Sequence, residues 1–396
     1  MDYTFSNRVG GLKPSAIREI LKSAGDPGMI SFSAGNPAVE SFPVEELRRI
    51  SDEIYAHDAG AALQYSVTEG YVPLREQLKK RLSERFQIDM SQNDLLVTTG
   101  GQQGIDLVTK IFCNEGDTVL CEEPSFIGAL NAFRSYGCNL KGVPLEADGP
   151  NLEVMEEILK TDKRVKLMYL IPTFQNPAGS TTSLEKRKAI LELAERYHVV
   201  IFEDNPYGEL RFAGEEVPTL KSMDKSGCVV YGGSVSKILS AGLRIGFIAA
   251  APEVFSKAVV VKQTTDVHTP IYNQMLAARF FEQCDLDAHI EKIRALYRRK
   301  CGLMLAGMDE SFADCVQYTR PEGGLFLWVT LPEGADMPAF VKAAIERKVA
   351  VVPGSTFMTD ESAPCRSFRM NYSTPSDEQI QKGVAILGEL THSLKG

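Results

Sequence analysis

No apolar run in this 396-residue chain reaches the ~18 residues that a membrane-spanning helix needs. The amino-terminal MDYTFSNRVGGLKPS also lacks a hydrophobic signal core, so a cytoplasmic protein is expected rather than a secreted one. The eight cysteines contain no CxxC pair and lie mostly in apolar segments, which excludes a disulfide framework or a cysteine zinc site and reads as reduced, packed thiols. The five histidines are isolated and form no HExxH, so no metal is expected. GGSVS ends on Ser236 where a nucleophile elbow requires glycine, and no GxxxxGK[ST] phosphate loop occurs. Positive charge is in deficit: 43 Lys and Arg against 52 Asp and Glu give a net charge of −9, with the cations scattered, so no nucleic-acid footprint is expected.

What remains is an ordinary globular composition, 44% hydrophobic and 24% charged, at a length that calls for two domains. Between about 90 and 250, short apolar runs alternate with helical patterns. DLLVTTG (94–100), TVLCEE (118–123), KLMYLIP (166–172), VVIFED (199–204), CVVYGGS (228–234) and RIGFIAAA (244–251) read as strands. GIDLVTKIF (104–112) and SFIGALNAFRSY (125–136) read as helices, the second stopped by Gly137, and a Thr182 to Glu185 capping box opens a third. Such alternation predicts a mostly parallel sheet covered by helices on both faces, with ligands collecting beyond the carboxyl ends of its strands. The last third predicts an α+β layout: a helix over 286–308, LFLWVTL (325–331), a helix near 337–347, VAVVPG (349–354), SFRMNYS (367–373) and a final helix opened by a Ser376 to Gln379 capping box. The expected division is a large domain at 43–285 and a smaller one built from 1–42 and 286–396.

The strand ends carry the chemistry. Lys237, in GGSVSKILSAGLRIGF (232–247), has no carboxylate within nine residues on either side. Desolvation disfavours an ammonium, lowers its pKa and leaves a neutral, nucleophilic amine, although a lone lysine can equally snorkel at the surface. Gly100-Gly101-Gln102-Gln103-Gly104 opens a helix after a strand, where free backbone N–H groups make an anion site, or glycine simply allows tight packing. Ser234, Ser236 and Arg244 supply the donor types that bind phosphate. Asp204 ends a strand apolar enough to bury it, and a buried carboxylate needs a cationic partner. Phe126 follows TVLCEE, Asn176 precedes a proline in IPTFQNPAG, and Tyr65 in LQYSVTEGY has no local explanation. Together these features specify a phosphate, a flat ring to stack on Phe126, a protonatable ring nitrogen facing Asp204 and an aldehyde for Lys237. That ligand is pyridoxal 5'-phosphate.

LQYSVTEGYVPLR, PTFQNPAG, EDNPYGEL, SVSKILSAGLRIGF and SFRMNYS, in this order and spacing, resemble the class I/II aminotransferases of fold type I, pyridoxal-phosphate enzymes. The resemblance runs from ISFSAGNP to the last helix and is closest to the subgroup of 2-aminoadipate and kynurenine aminotransferases. It implies an α/β fold with a large sheet domain and a smaller α+β domain. It also implies ping-pong transfer of an amino group from an L-amino acid (2-aminoadipate, aromatic or branched-chain) to a 2-oxo acid such as 2-oxoglutarate, within amino acid metabolism.

By this resemblance Lys237 condenses with the cofactor aldehyde and shuttles the α-proton, and Asp204 keeps the pyridine nitrogen protonated. Tyr207 and Asn176 would bind the ring hydroxyl, and Gly101, Gln102, Ser234, Ser236 and Arg244 the phosphate. Tyr65 would reach in from the second subunit of a homodimer whose active sites lie at the interface. Arg369, Asn176 and the backbone at Gly35 would hold the substrate α-carboxylate, and Arg18 in SAIREILK would approach an acidic side chain. Three departures bear on cofactor affinity: Gly101 where relatives often have serine, Phe126 where tyrosine is common, and QNPAG in place of an NNP motif. Two alternatives remain open at this point. One is a lyase of the same fold. The other is an effector-sensing regulator, disfavoured because no helix-turn-helix module precedes ISFSAGNP.

Overall fold

The computed structural model describes residues 1–10, 12 and 28–394. A short strand, β1 (Ile30–Ser31), precedes the strands of the largest sheet. These are β2 (Asp94–Thr99), β3 (Thr118–Glu123), β4 (Asn139–Glu146), β5 (Gly149–Pro150), β6 (Val165–Leu170), β7 (Val200–Asp204), β8 (Val229–Ser234) and β9 (Ile245–Ala250). Their lateral order is β2-β9-β8-β7-β6-β3-β4-β5. Strands β4, β3, β6, β7 and β8 pair in parallel, whereas β9 runs antiparallel to both its neighbours and β5 to β4. The connections explain this. Helices Ile127–Ser135, Leu152–Thr161 and Leu184–Tyr197 provide the crossovers that parallel strands need. Only residues 235–244 join β8 to β9, too few for a crossover, so the chain turns back at the carboxyl edge of the sheet.

Successive residues of β3 and β6 enter opposite cores, as a period of two requires. Val119, Cys121, Leu167 and Tyr169 pack with Ile105, Val108 and Phe133 on one face. Leu120, Met168 and Leu170 pack with Met155, Leu159 and Ile190 on the other. Each large aliphatic side chain so buried contributes about 1.5–3 kcal/mol, and burial on both faces is why these strands read as unbroken apolar runs.

The helix of 125–136 spans Ile127–Ser135, and Gly137 follows it at φ 71°, the left-handed stop read from the sequence. The Thr182 capping box is not formed. The cap is Ser183, whose side chain accepts from Lys186 N, and Lys186 cannot return a side-chain acceptor to the cap backbone. Thr182 instead lies buried, its carbonyl accepting from Arg187 Nε at 2.9 Å.

After the long helix Leu286–Ser311 come β10 (Gln317–Tyr318), β11 (Phe326–Thr330), β12 (Val349–Ala350), β13 (Val352–Pro353) and β14 (Ser367–Asn371). VAVVPG, read as one strand, is two: β12 pairs in parallel with β1, and β13 joins β14 in an antiparallel four-stranded sheet ordered β10-β11-β14-β13. The chain changes sheet at Val351, which is fully buried. Phe32 N donates to Ala350 O and Asn371 N to Phe32 O, both at 2.8 Å, so the segment after β1 is stitched to the carboxyl-terminal strands. The last helix, Asp377–His392, opens with the Ser376–Gln379 capping box. Among the described residues, no helix is long and apolar enough to cross a membrane.

Candidate active site

The reversal between β8 and β9 brings the anion-binding groups together. Ser234 ends β8, and its Oγ accepts from Ser236 N at 3.1 Å and lies 2.8 Å from Ser236 Oγ. Arg244, held in the left-handed region at φ 54°, begins the return. Its guanidinium lies against Gly100, the cap of helix Gly101–Phe112, where any Cβ would collide with it. Gly100 also has φ 75°, so glycine is required there on two counts. The outcome is a helix N-terminus with unpaired N–H groups, two serine hydroxyls and a guanidinium around one point. Gln102 takes part through its backbone, because its side-chain Nε2 is committed to Gly128 O at 2.8 Å.

Lys237 closes the single turn that follows β8, and its Nζ donates to Gly35 O at 2.6 Å. Burial, reinforced by the charges of Arg369 and Arg244, lowers its pKa to about 8. Asp204 ends β7, and burial pushes its carboxyl up to about 6 against the opposing hydrogen bond from Tyr169 Oη, 2.6 Å from Oδ2. No lysine or arginine among the described residues lies within ion-pair distance of Asp204. Arg369, in β14, is 2% exposed. Its Nη1 donates to Asn176 Oδ1 at 2.9 Å and its Nη2 to Ser33 O at 2.8 Å, while Nε has no partner among the described residues. Phe326 and Phe357 stack on the guanidinium at 4.2 and 4.9 Å, and burial lowers its pKa to about 10. Asn176 Nδ2 in turn donates to Tyr207 Oη at 3.4 Å, and burial raises the Tyr207 phenol.

Lys237, Asp204, Arg244, Arg369, Asn176, Tyr207 and the two serines open into one cavity of about 380 Å³. Of the residues singled out in the sequence, Gly35, Gly101, Gln102, Phe126, Asn176, Asp204, Tyr207, Ser234, Ser236, Lys237, Arg244 and Arg369 line it. Tyr65 does not. It is 82% exposed, and its ring packs edge-on with His268, ring centroids 5.8 Å apart. Arg18 lies outside the described residues.

Residues 27–387 match the family description "Aminotransferase class I and II". The chain belongs to the class I and II aminotransferases. It is 42% identical to aromatic-amino-acid aminotransferase 1 of Thermococcus litoralis, over 98% of this chain and 94% of that one. It is 40% identical to the 2-aminoadipate transaminase of Thermus thermophilus, over 99% and 96%. Its fold superposes on the crystal structure of Pyrococcus horikoshii kynurenine aminotransferase, in complex with PMP, at a TM-score of 0.95, with 39% identity over 99% of this chain and 98% of that one. The chain is therefore an aminotransferase of fold type I that carries out pyridoxal-phosphate-dependent transamination, and these relatives lend no support to the lyase or regulator alternatives.

The cavity suits the cofactor of this family on its own chemistry. Three cations, Lys237, Arg244 and Arg369, line it against a single carboxylate, Asp204. That imbalance fits a ligand bearing a phosphate and a carboxylate. The carboxylate without a cation fits a protonated ring nitrogen, and the unpartnered Nε of Arg369 leaves donor capacity for an incoming anion. Sequence reasoning missed Tyr169, Ser33, Phe326 and Phe357. Tyr169 and Phe326 lie in apolar strands where an aromatic reads as core, Phe357 lies in the turn GSTF with no local sign of a role, and the Ser33 contribution is a backbone carbonyl, to which side-chain identity gives no clue.

Proposed function

We propose that this cavity binds pyridoxal 5'-phosphate and moves the amino group of an L-amino acid to a 2-oxo acid, 2-oxoglutarate, with the first 2-oxo product leaving before the second substrate enters. When bound, the cofactor supplies an aldehyde that condenses with amines and a ring that takes up the electron pair freed at the substrate α-carbon. The helix end at Gly101 and Gln102, with Ser234, Ser236 and Arg244, holds the phosphate. Asp204 holds a proton on the ring nitrogen, with Tyr169 fixing the carboxylate. Phe126 supports the ring face, and Tyr207 and Asn176 bind the ring hydroxyl. Lys237 would be the amine that meets the aldehyde and, once a substrate amine takes its place, the base whose Nζ removes the proton from the substrate α-carbon and holds it for return. Arg369, steered by Asn176, clamps the substrate α-carboxylate as a bidentate pair beside the Gly35 backbone. The observation that carries this reading is the Lys237 amine, its pKa lowered to about 8, sharing one cavity with a buried acid, Asp204, and two arginines, Arg244 and Arg369, all free of ion pairs among the described residues.

Tyr65 acts in the partner's site of a homodimer. Its high exposure, beside exposed Leu63, Val67 and Val72, supports coverage by a second copy. Residues 43–285 form the large domain, and 1–42 with 286–396 the smaller one, in a cytoplasmic protein.

For the side chain of the donor, the described cavity offers the apolar Ile105, Ile171 and Phe326, and each of its cations already has a task. Aromatic donors therefore need nothing further, whereas 2-aminoadipate needs one more cation, for which Arg18 is the candidate. A panel of amino donors with 2-oxoglutarate, followed by glutamate formation, tests this with the parent and with Arg18→Ala. The variant is expected to lose about 10–100-fold in kcat/KM on 2-aminoadipate, the cost of a charge-assisted pair, and less than about twofold on phenylalanine. Equal losses on both donors would remove Arg18 from the pocket, and no glutamate from any donor would refute the acceptor.

A further inference from the structure

Glu122 is a buried carboxylate for which the chemistry above has no use. It stands next to last in β3 at 1% exposure, and its Oε1 has no hydrogen-bond partner among the described residues. Its ionised form is disfavoured there: burial and nearby Asp204 push the carboxyl up to about 7, against Arg187 and the two donors it accepts from. A half-satisfied buried acid is a poor way to stabilise a sheet, and an apolar side chain would do so better. Its placement points to another use.

Glu122 Oε2 accepts from Ile171 N at 3.0 Å and from Gln175 Nε2 at 3.2 Å. Gln175, also 1% exposed, donates from the same Nε2 to Pro124 O and accepts at Oε1 from Ala178 N, both at 2.8 Å. Its backbone closes the turn by donating to Ser180 O at 2.8 Å and accepting from Gly179 N at 2.6 Å. Pro124 O and Ala178 N set Nε2 toward β3 and Oε1 toward the turn, and Glu122 Oε2 adds a second acceptor that holds the amide in that orientation. The next residue is Asn176, whose two side-chain atoms reach Arg369 Nη1 and Tyr207 Oη.

We infer that Glu122 is a positioning residue that, through Gln175, fixes the Asn176 side chain and thereby aims the Arg369 guanidinium at the substrate carboxylate. The inference rests on the reading of Arg369 as the carboxylate clamp. Glu122 touches neither cofactor nor substrate, so its loss acts mainly on substrate binding, while the cofactor loses at most the aim of Asn176, one of its several contacts.

The test compares the holoenzyme with Glu122→Leu, Glu122→Gln, Gln175→Met and Arg369→Ala. The readouts are the Kd of an unreactive 2-methyl amino acid from the change in cofactor absorbance, KM and kcat for a donor, cofactor affinity and melting temperature. Glu122→Leu is expected to raise Kd and KM about tenfold with kcat and cofactor affinity each within about threefold of the parent, the signature of a misaimed clamp. Glu122→Gln, which keeps an acceptor oxygen, is expected to restore Kd to within about twofold of the parent. Gln175→Met cuts the relay without touching β3 and is expected to repeat the Glu122→Leu split, which decides the matter should Glu122→Leu fail to fold. Parent-like Kd in Gln175→Met or in folded Glu122→Leu, beside a raised Kd in Arg369→Ala, would overturn the positioning role alone. An unchanged Kd in Arg369→Ala would overturn the clamp reading and this inference with it.

Discussion

Replacing Lys237 with alanine is expected to lower kcat by at least about 10⁴-fold, because one change removes both the nucleophilic amine and the general base. The fold is expected to survive. Lys237 has a folded pKa of about 8, below the unfolded value for lysine, so its ammonium form is penalised in the native state at pH below about 8 and the penalty fades as pH rises through that value. Alanine removes the penalty, and a thermal melt near pH 7 should show a transition no lower than the parent's. The same pKa sets a rate: if the neutral amine captures the aldehyde, uptake of cofactor by the apoenzyme should rise about fivefold between pH 7 and 8 and level off above about 9. Stopped-flow absorbance reads this directly. Near-parent turnover in the alanine variant would refute the role of Lys237.

Asp204→Asn is expected to cost about 10²–10⁴-fold in kcat, comparable to breaking a buried ion pair worth about 3–5 kcal/mol. Asparagine keeps the size and can still accept the Tyr169 hydroxyl, so the loss isolates the charge. Stability should move the other way. The folded pKa of Asp204 is raised to about 6, so the apoprotein is relieved of its penalty below the unfolded value near 4 and bears it in full above about 6. At pH 7 the apo form of the variant should therefore melt at or above the parent, while the rise in melting temperature on adding cofactor should shrink. A cofactor-induced rise equal to the parent's would show that Asp204 does not face the ring nitrogen.

The large sheet was legible because its strands are buried on both faces and read as apolar runs; β3 spans the residues of TVLCEE. Strand β4, NLKGVPLE, was not legible, since near the sheet edge only Val143 is fully buried and no pattern survives. Helix Gly101–Phe112 starts earlier than its apolar pattern, because the anion-binding turn is written in glycine and glutamine. VAVVPG looked like one strand, as local sequence does not record that a chain changes sheets at Val351. In the site, residues whose chemistry is unusual for their setting, Lys237 among aliphatics and Asp204 at the end of an apolar strand, could be found from sequence. Groups that act through another residue could not: Glu122 and Tyr169 reach the site through Gln175 and Asp204, contacts that close only across neighbouring strand ends and loops.

Borohydride reduction of the holoenzyme, followed by peptide mapping, tests the central claim most directly, since reduction fixes the cofactor to whichever amine holds it. The phosphopyridoxyl group is expected on Lys237 alone, in the peptide between Lys225 and Arg244. A label on any other lysine, or a reduced enzyme from which the cofactor still dialyses away, would contradict it.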